Sequence, residues 1–115
     1  MSQIKNIDAN TLNQWLESNE AVLIDVREPE EFESAYIKQA KNIKLALIKY
    51  QDISLPEYAG KKIVMQCRSG FRSLLACQKI AEEQNELELY NLEGGILAWQ
   101  QLGLQTQAMD LDDCY

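Results

Sequence analysis

The chain has 115 residues, 46% of them apolar and 25% charged, which fits one globular domain with one core and excludes a separate cofactor domain. Eleven Lys and Arg against eighteen Asp and Glu give a net charge of −7, the wrong sign for counterion-release binding to nucleic acid or to an anionic membrane. No histidine is present, so neither the commonest neutral-pH proton shuttle nor the commonest metal ligand is available, and no metal or cofactor is expected.

In chain order, Asp8 is placed to N-cap a helix over residues 9 to 18. Leu12, Trp15 and Leu16 lie along its apolar side, and Asn19 is placed to end it. The run Ala21-Val22-Leu23-Ile24 ending in Asp25-Val26-Arg27 predicts a central parallel strand whose polar residues emerge at its C-terminal end. Pro29, followed by Glu30 and Glu31, opens a short helix through Phe32 towards Ala35. Ala40 to Leu45 is expected to form a strand. Leu45, Ile48 and Ile53 then suggest one or two helical turns, broken before Pro56 and Gly60.

Ile63-Val64-Met65 is the next buried strand. Leu74, Leu75, Cys77, Ile80 and Ala81 are expected to form the apolar side of a helix following Ser73. Leu87 to Leu92 reads as a further strand, Gly94-Gly95 as a break, and Ile96 to Leu102 as a last helix ending at Gly103, with Trp15 and Trp99 in the core. Alternation of strand and helix implies right-handed crossovers and an α/β fold, a central parallel sheet with helices on both faces. The domain is expected over residues 1–104, with 105–115 an acidic, flexible tail carrying Asp110, Asp112 and Asp113.

The first residues lack the apolar stretch of a secretory signal, and no apolar run reaches the about 18 residues of a membrane span. The three cysteines show neither C-x-x-C spacing nor disulfide-framework density. A cytoplasmic address with free thiols is therefore expected. Cys77 falls among apolar helix positions and reads as core.

The chemistry-bearing segment is Met65-Gln66-Cys67-Arg68-Ser69-Gly70-Phe71-Arg72-Ser73. A buried strand ends in a cysteine, and a short loop leads into a helix, at the strand edge where open α/β sheets bind ligands. Backbone N–H groups converging there, the helix dipole, and the cations Arg68 and Arg72 all favour an anion. The same groups favour a Cys67 thiolate that needs no general base. Asp25 and Arg27, beside Glu28 and Glu31, either orient the loop arginines or form a structural ion-pair cluster. Gly94 and Gly95 either make a turn alone or also wall the pocket.

Together, Ile24-Asp25-Val26-Arg27-Glu28-Pro29 with Glu31-Phe32, then Ala40 and Asn42-Ile43, the Cys67–Ser73 loop, and Leu92-Glu93-Gly94-Gly95 with Ala98-Trp99 resemble the single-domain rhodaneses, or thiosulfate sulfurtransferases. The resemblance spans about residues 4 to 103 and implies a rhodanese-like parallel sheet of about five strands. It departs at Ala35-Tyr36 and Gln39-Ala40, where the family has Gly-His and Gly-Ala, and at Lys44, where it has Pro.

The resemblance implies that Cys67 is the catalytic nucleophile, taking a sulfane sulfur from thiosulfate or a similar small anionic donor as a persulfide. A thiol or cyanide then removes that sulfur. It further implies that Arg68, Ser69, Gly70, Phe71, Arg72 and Ser73 bind the donor. A carrier or sensor delivering sulfur to an acceptor protein is the alternative. A phosphatase or arsenate reductase is disfavoured, because those enzymes place the loop Arg one position later, where this chain has Ser73. Cys114 either is inert, its thiol kept neutral by the neighbouring carboxylates, or relays sulfur from Cys67.

Overall fold

The computed structural model describes residues 2–109. Five strands, β1 (Gln3–Ile7), β2 (Ala21–Asp25), β3 (Lys41–Asn42), β4 (Lys62–Gln66) and β5 (Glu88–Leu92), form one parallel sheet in the order β1-β5-β4-β2-β3. The helices are α1 (Ala9–Glu17), α2 (Pro29–Ser34), α3 (Phe71–Glu83) and α4 (Gly95–Gln101). This is the α/β architecture expected from the strand and helix alternation.

The central strands are apolar along both sides because both faces of the sheet are covered. Leu23, Val64 and Tyr90 align across β2, β4 and β5 and pack with Leu12 and Leu16 of α1 and Ile96 and Trp99 of α4. On the other face Ile24, Met65 and Leu89 pack with Ala76, Cys77 and Ile80 of α3. Burying each of the larger side chains contributes about 1.5–3 kcal/mol. From β2 the chain moves to β3 on one side, and from β4 to β5 on the other. A crevice therefore opens between the C-terminal ends of β2 and β4, where Val26 N–H donates to Gln66 O at 2.9 Å.

Helix α1 starts as expected, the Asp8 carboxylate accepting the Thr11 N–H at 2.8 Å, and Asn19 ends it at φ 59°. Five features differ from the sequence reading. β1 was not expected as a strand. It pairs with β5 through Gln3↔Glu88 to Ile7↔Leu92 at the sheet edge, where its residues stay exposed or half-buried and no apolar run marks it. The strand expected over 40 to 45 shrinks to two residues; beyond it Ile43 N–H and Leu45 N–H still donate to Asp25 O and Val26 O at 3.0 Å, and the Asn42 side-chain amide donates to Asp25 O and Arg27 O, also at 3.0 Å. The turns after it are 3₁₀, at Tyr50–Asp52 and Pro56–Tyr58.

Helix α3 begins at Phe71 and not after Ser73, with Gly70 as its cap at φ 107°. Its buried side is Ser73, Ala76, Cys77 and Ile80, while Leu75 is exposed. Arg72 and Ser73 are thus held by the first helical turn, and the loop proper is short.

Residues 105–109, expected within a flexible tail, are bonded to the body. Trp99 Nε1–H donates to Gln105 O, Tyr36 and Gln107 exchange two backbone bonds of 2.7 Å, and Met109 N–H donates to Glu33 O. Cys114 and the aspartates at 110, 112 and 113 lie outside the described residues. Among the described residues no helix is long and apolar enough to cross a membrane.

Candidate active site

Cys67 follows the last residue of β4 and is buried. Its Sγ receives the Gly70 N–H at 3.1 Å and lies 3.3 Å from Ser73 Oγ. Burial pushes the thiol up. The Ser73 hydroxyl, when its proton is turned to the sulfur, and the backbone N–H groups of Ser73, Gly70 and Ser69 outweigh it and hold Cys67 below the ordinary thiol value.

The loop returns over the sulfur because Gly70 adopts a left-handed conformation that side chains rarely accept. Behind it, Ile96 N–H and Leu97 N–H of α4 donate to Cys67 O and Arg68 O at 2.9 and 3.2 Å. Gly95 lies so close that a Cβ would stand 2.3 Å from Arg68 O. The Gly94-Gly95 turn therefore braces the loop from behind, and α4 fixes the loop carbonyls outward of the sulfur.

The two loop arginines differ. Arg72 is engaged by both oxygens of Glu31, Nη1 to Oε1 at 2.6 Å and Nη2 to Oε2 at 2.9 Å, a planar fork on a carboxylate. The Arg72 guanidinium holds the Glu31 carboxyl down at about 2. Arg68 is exposed and its side chain has no hydrogen-bond partner among the described residues. A cavity of about 190 Å³ lies beside it, lined by Arg27, Glu31, Ser34, Leu97 and Gln100. Ser69 is exposed, Phe71 is 68% exposed at the rim, and Ser73 is fully buried against the sulfur.

Asp25 and Arg27 form a buried ion pair at the end of β2. Arg27 Nε and Nη2 donate to both Asp25 oxygens at 2.7–3.1 Å, and Nη2 also to Ala35 O at 2.7 Å. Among the described residues the pair shares no hydrogen bond or ion pair with Arg68 or Arg72. Sequence reasoning missed Asn91, which bonds Ser73, Gly70 O and Asn6. Its one signal was a polar residue inside the otherwise apolar run Leu89-Tyr90-Asn91-Leu92. It also missed that Glu31 is the partner of Arg72, 41 positions away.

The parallel α/β sheet thus holds, at one strand end, a buried cysteine whose sulfur faces backbone N–H donors. The Rhodanese-like domain family matches residues 8–102, and the chain belongs to it, a sulfurtransferase family. A Synechocystis protein described only as uncharacterized is 38% identical over 100 residues, 87% of this chain, which spans only 54% of that relative. A protein of Allochromatium vinosum named Sulfurtransferase is 35% identical over 106 residues, covering 91% of this chain and 96% of its own. The crystal structure of a rhodanese-like domain protein from Staphylococcus aureus superposes with a TM-score of 0.66 at 29% identity, covering 90% of this chain and 99% of that one.

Proposed function

We propose that this protein moves a sulfane sulfur from thiosulfate or a similar donor to a thiophilic acceptor through a persulfide on Cys67, in the cytoplasm. The observation that carries the reading is the set of donors aimed at Sγ in a chain without histidine. An ionised nucleophile dispenses with the histidine base that this chain lacks. The thiolate attacks the outer sulfur of thiosulfate, an S–S bond forms at Cys67 as the donor's S–S bond breaks, and the electron pair leaves with sulfite. Thiolate and dianion become persulfide anion and sulfite dianion, so charge balances. An acceptor thiolate or cyanide then takes the outer sulfur and returns Cys67 as thiolate.

Arg68, exposed and without a partner among the described residues, is the cation for the donor's sulfonate end. Arg72 acts through its bond to Glu31, shaping the first turn of α3. Ser69, Gly70, Phe71 and Ser73 complete the donor site, with Gly70 and Ser73 against the sulfur. The charge that matters is local, because the acidic remainder is solvated and screened beyond about 8 Å at physiological salt.

A second reading, a carrier that loads a partner protein, is favoured by the 68% exposure of Phe71 at the rim. Such apolar exposure next to a nucleophile suits a protein acceptor. Intact-protein mass spectrometry after thiosulfate treatment tests the first reading. A species heavier by one sulfur atom, discharged by cyanide, is expected, and an unchanged mass rejects it. Discharge by small thiols separates enzyme from carrier, which releases sulfur only to its protein.

A further inference from the structure

Asn91 lies in β5 at 4% exposure, and nothing in the transfer chemistry above uses it. Its Nδ2 is 3.2 Å from Gly70 O and 3.1 Å from Asn6 Oδ1. Gly70 O is a carbonyl and only accepts, so the atom facing it must be the amide nitrogen, and the amide oxygen is thereby turned to Ser73. Ser73 Oγ donates to that oxygen at 2.5 Å and lies 3.3 Å from Cys67 Sγ.

A hydroxyl has one proton. Committed to Asn91, Ser73 meets the sulfur with lone pairs only, an arrangement that receives the S–H of a thiol. To serve a thiolate the hydroxyl must turn, leaving Asn91 Oδ1 buried without a donor. Asn91 cannot turn with it, because Gly70 O holds its nitrogen.

We propose that Asn91 is a positioning residue that holds the Ser73 proton away from the Cys67 sulfur and thereby lengthens the life of the sulfur-loaded form. In a persulfide Sγ carries two S/C bonds and no charge, so Ser73 keeps its bond to Asn91 at no cost. Discharge breaks the S–S bond and returns the electron pair to Sγ. A leaving thiolate deprived of a donor leaves more slowly. This lifetime consequence rests on the sulfur-transfer reading, whereas the proton placement does not.

The charged groups around the loop are Arg68, the Arg72–Glu31 pair and the Asp25–Arg27 pair, and none of them bonds Sγ among the described residues.

The test is the pH dependence of Cys67 alkylation by iodoacetamide, read on the Cys67 peptide. Asn91→Ala frees the Ser73 proton and is expected to lower the midpoint by about one pH unit, with no shift when Ser73→Ala is also present. Asn6→Ala leaves Gly70 O to orient the amide and is expected to leave the midpoint in place. An unchanged or raised midpoint in Asn91→Ala, the same shift without Ser73, or an equal shift in Asn6→Ala overturns the proposal.

Should Asn91→Ala not fold, the side-chain amide resonances of Asn91 in the unmodified protein must titrate with the Cys67 midpoint, and resonances that do not move overturn it. In thiosulfate-loaded protein, cyanide is expected to discharge Asn91→Ala several-fold faster. Absence of any persulfide would defeat the sulfur-transfer reading and the lifetime consequence with it. The alkylation midpoint would then still decide the placement of the proton.

Discussion

Cys67 and Cys77 are ten positions apart, both buried in the same core beneath α3, and their thiols go opposite ways. Burial pushes Cys77 up to about 12, with no donor but its own backbone N–H to oppose it, and its S–H donates to Tyr90 O at 3.6 Å. Cys67 is pushed up by burial as well, then brought below the ordinary value by the Ser73 hydroxyl, when its proton turns to the sulfur, and by three backbone N–H groups. Depth alone makes a cysteine inert. Donors at the end of a strand lower the thiol and favour the thiolate that a nucleophile needs.

The largest effect sharpens that contrast. Cys67→Ser is expected to keep the fold and lose sulfur transfer by at least about 10⁴-fold, because the same donors do not ionise a hydroxyl at neutral pH. Cys77→Ala is expected to retain transfer. Steady-state transfer from thiosulfate to cyanide measures both, and a Cys67→Ser enzyme with substantial turnover would remove Cys67 from the mechanism.

Next in size are the two ion pairs that flank the loop. Asp25 is buried, so Asp25→Ala strands Arg27 in the crevice and is expected to cost about 3–5 kcal/mol in urea unfolding. Arg72–Glu31 is one-third exposed, and Glu31→Gln is expected to cost only about 0.5–1 kcal/mol. Its pH signature has a definite sign. The Glu31 carboxyl is held at about 2 against an ordinary 4.5. The pair's stabilisation is therefore full above about pH 4.5 and lost as pH falls towards about 2. Acid unfolding of Glu31→Gln and the parent should differ above that window and converge below it.

A third substitution acts on the loop without touching the sulfur. At Gly95, φ is 60° and an added Cβ would meet Arg68 O at 2.3 Å. Gly95→Ala costs about 1–2 kcal/mol for the left-handed backbone alone. The clash must also move the Arg68 carbonyl, and an ångström of displacement at a reacting centre costs on the order of 10²-fold in rate. Loss of stability with unchanged kcat/KM would show that the loop does not depend on its backing.

The parts of this molecule legible in its sequence are those set by local pattern. Ala21–Ile24, Ile63–Met65 and the run to Leu92 are buried on both faces and read as central strands, and the cysteine loop is recognisable because its donors are its own backbone. What stayed hidden depends on residues far apart in sequence. β1 is an edge strand whose place is fixed by β5, 85 positions on. The Asn42 side chain bonds two carbonyls at and beyond the β2 end, 15 and 17 positions away. The Arg72–Glu31 fork joins residues 41 positions apart, and Asn91 reads as strand filler until Ser73 and Gly70 close around it.

The smallest expected effect concerns the inert cysteine. Cys77→Ala removes a small side chain from the α3 core and is expected to cost about 1 kcal/mol, since α3 can settle partly into the space. Its reactivity is the sharper readout. A thiol held at about 12 has almost no thiolate at pH 7.5, and alkylation needs both thiolate and access. In a Cys114→Ser background, iodoacetamide at pH 7.5 is therefore expected to label Cys67 well before Cys77, since both are buried and only Cys67 holds a lowered thiol, and Cys77 only when the domain opens. The Cys77 rate should rise with urea in step with unfolding, and Asp25→Ala should accelerate it by the same factor as its loss of stability. Prompt labelling of Cys77 in the native state would mean that α3 opens locally. The contrast between the two cysteines would then be one of access as well as of donors.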